Sequence, residues 1–350
     1  MSKKILRLGR FCQTCFMIGL QMYLVFLIAY LVLRVAIGDG VWWLGFLNNL
    51  APCFFLPVVV LLPFTLLARN LVWAARLLPF ALLAGLWFGP YFIPRSTASA
   101  AGDTLRLATF NVWGDNPRMA DVAAWILSTE ADVVVMQEVH PDFPRNDWLG
   151  ETYPYRFWQA TGQDWWANYT LSRFPILEAE NLDWDGAEAP AQQRLVLDVN
   201  GQPVALYNLH LLMPLGETAH LSLPLDNPFL NMALKYDDSA RNAQIRRLLA
   251  RLAGEPYPYL IAGDFNMSDQ TMIYGELAAV MRDSFREAGN GFGWSWPAGT
   301  ADDFSTPVPL LFRLDYIWHS GGFRALTAQQ GPVLGSDHLP LLATLELPGS

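Results

Sequence analysis

Acidic residues are nearly missing from the first hundred positions, and lysine is nearly missing from the rest. Residues 1–100 contain one acid, Asp39, against eight bases: Lys3, Lys4, Arg7, Arg10, Arg34, Arg69, Arg76 and Arg95. Taking these from the chain's 23 basic and 32 acidic residues leaves 15 basic and 31 acidic in residues 101–350, a net of −16 with Lys235 as the sole lysine. Such a balance disfavours the general capture of polyanions, although it leaves a local basic patch open. Cysteine is also scarce: Cys12, Cys15 and Cys53 precede residue 101 and none follows. Residues 101–350 therefore carry neither a disulfide nor thiolate chemistry. The Cys12-x-x-Cys15 pair opens an apolar helix without a βαβ context and reads as two small residues near a helix end. Charge as a whole is low, at 16% against roughly 25% in soluble chains.

What is present is apolar. The 350 residues are 53% hydrophobic with a mean hydropathy of +0.21, which excludes a disordered chain and a small disulfide scaffold. Three apolar stretches, about Phe16–Val35, Leu50–Leu67 and Leu71–Ile93, approach the ~20 residues that cross a bilayer as a helix. Pro52, Pro57 and Pro63 predict kinks in the second. Lys3, Lys4, Arg7 and Arg10 predict a cytoplasmic N-terminus, and Arg69 with Arg76 returns the second turn to that side. Arg34 and Arg76 are candidates for snorkelling at helix ends. Three crossings then place the remainder outside the cytoplasm. Trp42, Trp43, Trp87 and Tyr91 fall where interfacial aromatics are expected. The expected organisation is a membrane domain over 1–93, a linker over 94–103 and a catalytic domain over 104–350. Ala98-Ser99-Ala100 offers a rival reading, cleavage and release.

The remainder alternates strand and helix signals. Leu105–Val112, Asp132–Val139, Gln193–Val199, Val204–Leu211, Tyr259–Gly263, Phe312–His319 and Leu341–Leu347 read as strands. Asn116 reads as the cap of one helix with Pro117 in its first turn. A second helix spans about Ser239–Ala253, with Ile245, Leu248, Leu249 and Leu252 inward and Gly254 as its stop. No solenoid period occurs. One α/β domain with two packed sheets is the expected class.

Polar residues close these strands: Asn111, Glu138, His210, Asp264 with Asn266, Asp315, and Asp337 with His338. Singly, each is an ordinary turn former or structural histidine. Jointly, they direct several oxygen donors and two imidazoles to one edge of a sheet core. Hard oxygen donors suit Mg²⁺ or Mn²⁺ over Zn²⁺. Neither H-x-x-x-H nor G-x-S-x-G competes.

In their order and spacing these residues resemble the endonuclease/exonuclease/phosphatase superfamily, with its deoxyribonuclease-I-like fold, over about Leu105 to Leu347; the anchored arrangement is that of a membrane-bound bacterial-type member. The resemblance implies a four-layer α/β sandwich, two central β-sheets flanked by helices, here preceded by three transmembrane helices. It implies divalent-metal hydrolysis of a phosphate ester. Glu138 is then the principal metal ligand, supported by Asn111 and Asp337. Asp264 orients or deprotonates the attacking water, Asn266 holds a phosphate oxygen, and His338 contacts the phosphate with Asp315 on its far nitrogen. His210 flanks the phosphate from the other sheet.

The substrate stays open among the family's classes. Apolar segments Leu211–Leu215, Leu221–Leu225 and Pro228–Leu230, with Trp165-Trp166 on a second loop, read first as a loop packed on its own domain or on the membrane helices and second as a rim that engages lipid. With the acidic balance and the tether, a lipid-associated or small-molecule phosphodiester is the favoured substrate. The alternatives are an extracytoplasmic nuclease acting on DNA or RNA, and a catalytically silent membrane sensor. Against the nuclease, the one basic cluster, Arg241, Arg246, Arg247 and Arg251, reads as a solvated helix face.

Overall fold

The computed structural model describes residues 3–350 apart from 96–99, 147, 159–166, 185–191, 222–226, 300–308 and 350. Trp165-Trp166, Ala98 and Ser99 of the cleavage motif and most of Leu221–Leu225 thus lie outside the described residues. The chain forms two compact units, Met1–Pro90 and Tyr91–Ser350.

The first unit holds α1 (Lys3–Ile37), α2 (Trp42–Asn49), α3 (Ala51–Leu67) and α4 (Leu71–Phe88). Two helices, Gln13–Ile37 and Leu71–Phe92, are long and apolar enough to cross a membrane, and α2 with α3 forms a pair bent by 52° that meets the same test together. The second apolar stretch differs from expectation. α3 runs through Pro57 and Pro63, and the bend falls at the α2–α3 break. Pro52 sits in the first turn of α3, where a missing N–H leaves no helical bond unmade. Trp42 and Trp43 open α2. Leu27, Val58, Trp73 and Leu77 pack together, whereas Met22, Val32, Leu56, Phe64 and Leu86 are exposed. Arg34 and Arg76 each lie 4.8 Å over an indole, of Trp87 and Trp73 respectively.

The second unit contains two six-stranded mixed sheets flanked by helices. The first runs β11 (Arg324–Gln330), β12 (Leu341–Glu346), β1 (Thr104–Asn111), β2 (Val133–Val139), β4 (Ala167–Ser172), β3 (Tyr155–Trp158). The second runs β5 (Ile176–Leu182), β6 (Gln192–Val199), β7 (Gln202–His210), β8 (Tyr259–Asp264), β10 (Asp315–His319), β9 (Arg282–Asp283). Helices α5 (Met119–Thr129), α6 (Asp142–Arg145), α7 (Pro228–Leu234), α8 (Ser239–Leu252), α9 (Met272–Ala278) and α10 (Ser284–Ala288) complete it. The strands expected from apolar runs are present within a few residues; β3, β4, β5, β9 and β11 were not anticipated. Helix α5 starts at Met119, later than expected. Asn116 holds the preceding turn instead: its Oδ1 accepts from the Arg118 N–H at 2.8 Å and its Nδ2 donates to Val112 and Leu334 carbonyls.

Period-two alternation explains how the sheets meet. Leu105, Leu107, Val133 and Val135 of one sheet pack on Val204, Leu206, Leu260 and Ala262 of the other. Opposite faces receive α5 through Val122 and Ile126, and α8 with α9 through Ile245, Leu248 and Leu277. Toward the ends of β1, β2 and β7 the same inward positions turn polar: Thr109, Gln137 and Asn208, all fully buried. Asn208 bridges the sheets, accepting from Gln137 Nε2 at 2.7 Å and placing its Nδ2 near the carbonyls of Met136 and Tyr169 and the Thr170 hydroxyl. Gln193 and Asn168 extend this tier.

Each sheet has one parallel pair, β1 with β2 and β7 with β8. Parallel strands end together, and their antiparallel partners begin there: β12 at Leu341 opposite Thr109, and β10 at Asp315 opposite Asp264. The strand-terminal residues are therefore gathered at one end of the sandwich. At the start of this unit, the Tyr91 ring lies 3.6 Å from the Arg286 guanidinium and the Tyr91 carbonyl accepts from Gly291 N–H at 2.7 Å.

Stranding a buried polar group costs about 1–3 kcal/mol. Asn208→Leu is expected to lose roughly 3 kcal/mol by leaving Gln137 and Met136 without their partner, a fall of about 6–12 °C in Tm by calorimetry of the full chain.

Candidate functional site

Four strand ends and two loops build the site. Asn111 ends β1, His210 ends β7 and Asp264 ends β8. Glu138 stands where the β2–β4 pairing is bulged between Met136 and Val139, with a left-handed φ of 54°. A bulge turns its residue out of the ladder, and such a φ in a non-glycine residue is strained by roughly 1–2 kcal/mol. Asn266 carries a second such angle, 49°. Gly263 just before Asp264 is obligatory: a Cβ there would stand 1.8 Å from the Leu209 carbonyl oxygen. Ser336 ties the last loop to β1, donating its hydroxyl to the Asn111 carbonyl at 2.7 Å and accepting from the His338 N–H at 3.0 Å.

Six of the expected residues form one chain of contacts. His338 Nδ1 lies 2.9 Å from Asp315 Oδ2, and its Nε2 is 3.6 Å from Asp264 Oδ2. Asn111 Nδ2 donates to Asp264 Oδ2 at 3.1 Å and to Glu138 Oε1 at 2.9 Å. His210 Nε2 closes the far side, 3.5 Å from Glu138 and 3.9 Å from Asp264. Asp264, Asp315 and His338 are buried, while Glu138 and His210 retain side-chain exposures of 20% and 13%. Glu138 and His210 thus form the mouth and Asp264 and His338 the floor. Asn266 joins through its N–H, which donates to Asp264 Oδ1 at 2.8 Å, and its Nδ2 donates to the Leu211 carbonyl. Asp337 stands apart by its hydrogen bond: its Oδ2 accepts the Trp296 indole N–H at 2.9 Å.

Electrostatics divides the floor. Burial pushes the Asp264 carboxyl up to about 6, against the pull of His338. Burial disfavours an imidazolium at His338, but Asp315, Asp264 and Asp337 outweigh it and hold that residue well above the ordinary histidine value. An acid inclined to keep a proton thus faces a histidine inclined to stay charged. Among the described residues, Asp264, Asp315 and His338 offer ligand atoms within 4.8 Å of one another. His338 has its Nδ1 committed to Asp315, so the oxygen side of the site, Glu138 and Asp264 joined by the Asn111 amide, fits a hard divalent cation better.

Some contributors were not anticipated. Gln192 pairs with the His210 backbone in both directions, at 2.7 and 2.6 Å. Arg241 is buried, contrary to the expectation of a solvated helix face; Arg246 and Arg247 do face solvent. The signal was present in α8, because Arg241 precedes Ile245 by four residues and shares its inward stripe.

Linkage sets a pH prediction. Asp264 is raised from 3.8 to about 6, so the folded state holds a proton that the unfolded state has released. That contribution is fully present below about 4 and is lost as pH rises through about 6. Unfolding in EDTA across this window should show the wild-type chain losing stability relative to Asp264→Asn as pH rises.

Comparison with known proteins follows this geometry. Residues 108–338, two thirds of the chain, match the Endonuclease/Exonuclease/phosphatase family. An endonuclease/exonuclease/phosphatase from Bacteroides vulgatus is 20% identical with a TM-score of 0.53, covering 70% of this chain and 99% of that one. TDP2 of D. rerio, solved with a single-strand DNA product, is 19% identical with a TM-score of 0.53, covering 70% and 99%. At such identities the likeness is one of fold. A 4-diphosphocytidyl-2-C-methyl-D-erythritol kinase of Xanthomonas euvesicatoria is 26% identical over 177 residues, 48% of this chain and 50% of that protein. The chain thus spans about half the length of the curated relative it matches. On the family match, the chain belongs to the Endonuclease/Exonuclease/phosphatase family, and its fold and membership support a phosphodiesterase-type hydrolase acting on phosphate esters.

Proposed function

We propose that the chain is a membrane-anchored, extracytoplasmic, divalent-metal-dependent phosphoesterase that cuts a phosphodiester of a lipid-associated or small-molecule substrate by in-line attack of water. The observation carrying this reading is the unbroken run of contacts Asp315–His338–Asp264–Asn111–Glu138–His210. In-line displacement needs a positioned water, charge relief on the phosphate oxygens and a held leaving group. Asp264 orients the water and takes its proton. His338, kept charged and aligned by Asp315, stabilises the developing charge on phosphate. Asn266 and His210 hold phosphate oxygens from the second sheet. Glu138, with Asn111 and Asp337 in support, is the metal-holding side, and Mg²⁺ or Mn²⁺ bound there would supply further charge relief.

Anchoring rests on the apolar helices, and orientation on Lys3, Lys4, Arg7 and Arg10 before the first of them. The domain division is read as a membrane part to residue 93, a linker over 94–103 and a catalytic part from 104.

The lipid preference rests on the loop after His210. It is backbone-paired, with Leu215 bridged to Tyr236, Gly216 N–H on the Lys235 carbonyl and Asp237 N–H on that of Pro214. Its Met213 and Leu221 nevertheless stand 63% and 55% exposed. Exposed apolar side chains on the loop that leaves His210 support an apolar ligand. The nuclease reading lacks comparable support, since exposed bases of α8 are spent on acids: Arg246 on Glu276 at 2.9 Å and Arg251 on Glu180 at 2.6 Å.

Glu138→Gln and His338→Ala are each expected to lower kcat on diesters about 10²–10³-fold at saturating Mg²⁺, with folding retained. Rates close to wild type in either variant would remove the role assignment. The panel should compare a lipid phosphodiester, an aryl phosphodiester and DNA; salt-sensitive cutting of DNA above the other two would favour the nuclease. Burying one such side chain is worth about 1.5–3 kcal/mol. Met213→Ser with Leu221→Ser should therefore raise KM at least tenfold for the lipid ester and leave the aryl ester unchanged.

A further inference from the structure

Arg241 is among the largest fully buried side chains of the protein. It projects from the first turn of α8, and its Nη1 donates to the Asn266 carbonyl at 2.6 Å. Its Nη2 pairs with Asp238 Oδ2 at 3.1 Å and meets Asn242 Oδ1 at 2.9 Å. One turn on, Gln244 Oε1 accepts the Leu212 N–H at 2.8 Å. Asn266 Nδ2 donates to the carbonyl of Leu211, the residue before Leu212. The start of α8 therefore braces two loops at once, the one after His210 and the one after Asp264.

A buried guanidinium is costly unless paired and hydrogen-bonded. A core helix could fill this position with leucine, as α8 does at Leu248 and Leu252. The charge is directed instead at the carbonyl of a residue held in the left-handed region, where an asparagine needs outside support. With that carbonyl fixed, the Asn266 side chain has one amide hydrogen on Leu211 and a second available to a ligand.

We propose that Arg241, assisted by Gln244, is the positioning residue of the site, setting the Asn266 amide at the phosphate. This rests on the phosphoesterase reading above, in which Asn266 holds a phosphate oxygen. Arg241 touches no reacting atom. It acts through Asn266, so its effect should fall on turnover and vanish when Asn266 is gone.

The test uses the full chain with bis(p-nitrophenyl) phosphate and Mg²⁺. Arg241→Lys keeps a charge beside Asp238 and so preserves folding, but it replaces the rigid fork, whose two nitrogens serve Asp238 and the Asn266 carbonyl separately, with one nitrogen on a flexible stem. Its kcat should fall about tenfold, equal to about 1.4 kcal/mol, with KM within twofold. Arg241→Gln should fall further. In an Asn266→Ala background, Arg241→Lys should cost less than twofold in kcat, while its effect on Tm is the same in both backgrounds. Hydrogen exchange over residues 264–268 should rise in Arg241→Lys, with residues 282–288 unchanged. Equal kcat losses in the two backgrounds, or unaltered exchange over 264–268, overturn the proposal. A wild-type chain inactive on every ester removes the phosphoesterase reading, and the positioning role with it, whereas exchange still reports whether the brace exists.

Discussion

Everything at the site depends on where the inter-sheet core stops being dry. Along β1, β2 and β7 the inward positions pass from Leu105, Val133 and Val204 through Leu107, Val135 and Leu206 to Thr109, Gln137 and Asn208. An apolar interface can be wetted only at its edge, because a buried polar group must find a partner. The Asn208 tier supplies those partners across the gap. Beyond it the next inward residues, Asn111 and His210, belong to the candidate site. The sandwich is thus a hydrophobic clamp below and a preorganised polar platform above, built from the same strands by one alternation rule.

That rule made much of the fold legible. Apolar runs with period two located the strands of the central parallel pairs, and their terminal residues are the ones the structure brings together as the candidate site. The less visible strands have physical reasons. β5 is an edge strand whose residues are largely exposed, so Ile176–Leu182 lacks a core-facing stripe. β9 has two residues, too few for any pattern. β4 is buried throughout but mixes Asn168, Thr170 and Ser172 with Tyr169 and Leu171, because half of it belongs to the polar tier.

Among the site residues, those at strand ends could be found by position, whereas their supports could not. Gln192 and Ser336 act through backbone contacts that sequence spacing does not encode. Trp296 reaches Asp337 from 41 residues away. Arg241 was readable in principle, since it lies on the buried stripe of α8; its charge invited the opposite reading. Conflicts between a residue's polarity and its place in a pattern are therefore informative, as a buried cation persists only where its partners repay desolvation.

The register of β8 against β10 has a last consequence. It sets Asp264 directly opposite Asp315 as cross-strand neighbours, both without solvent to separate them. Like charges facing each other across a ladder repel. Sliding β10 would relieve them, but only by turning Ile317 out of the interior. The hydrophobic face therefore locks in an electrostatic deficit that only a positive partner can neutralise. Attraction for cationic charge at this end of the molecule is thus a product of strand alignment itself, enforced by oil-like residues that never meet a substrate.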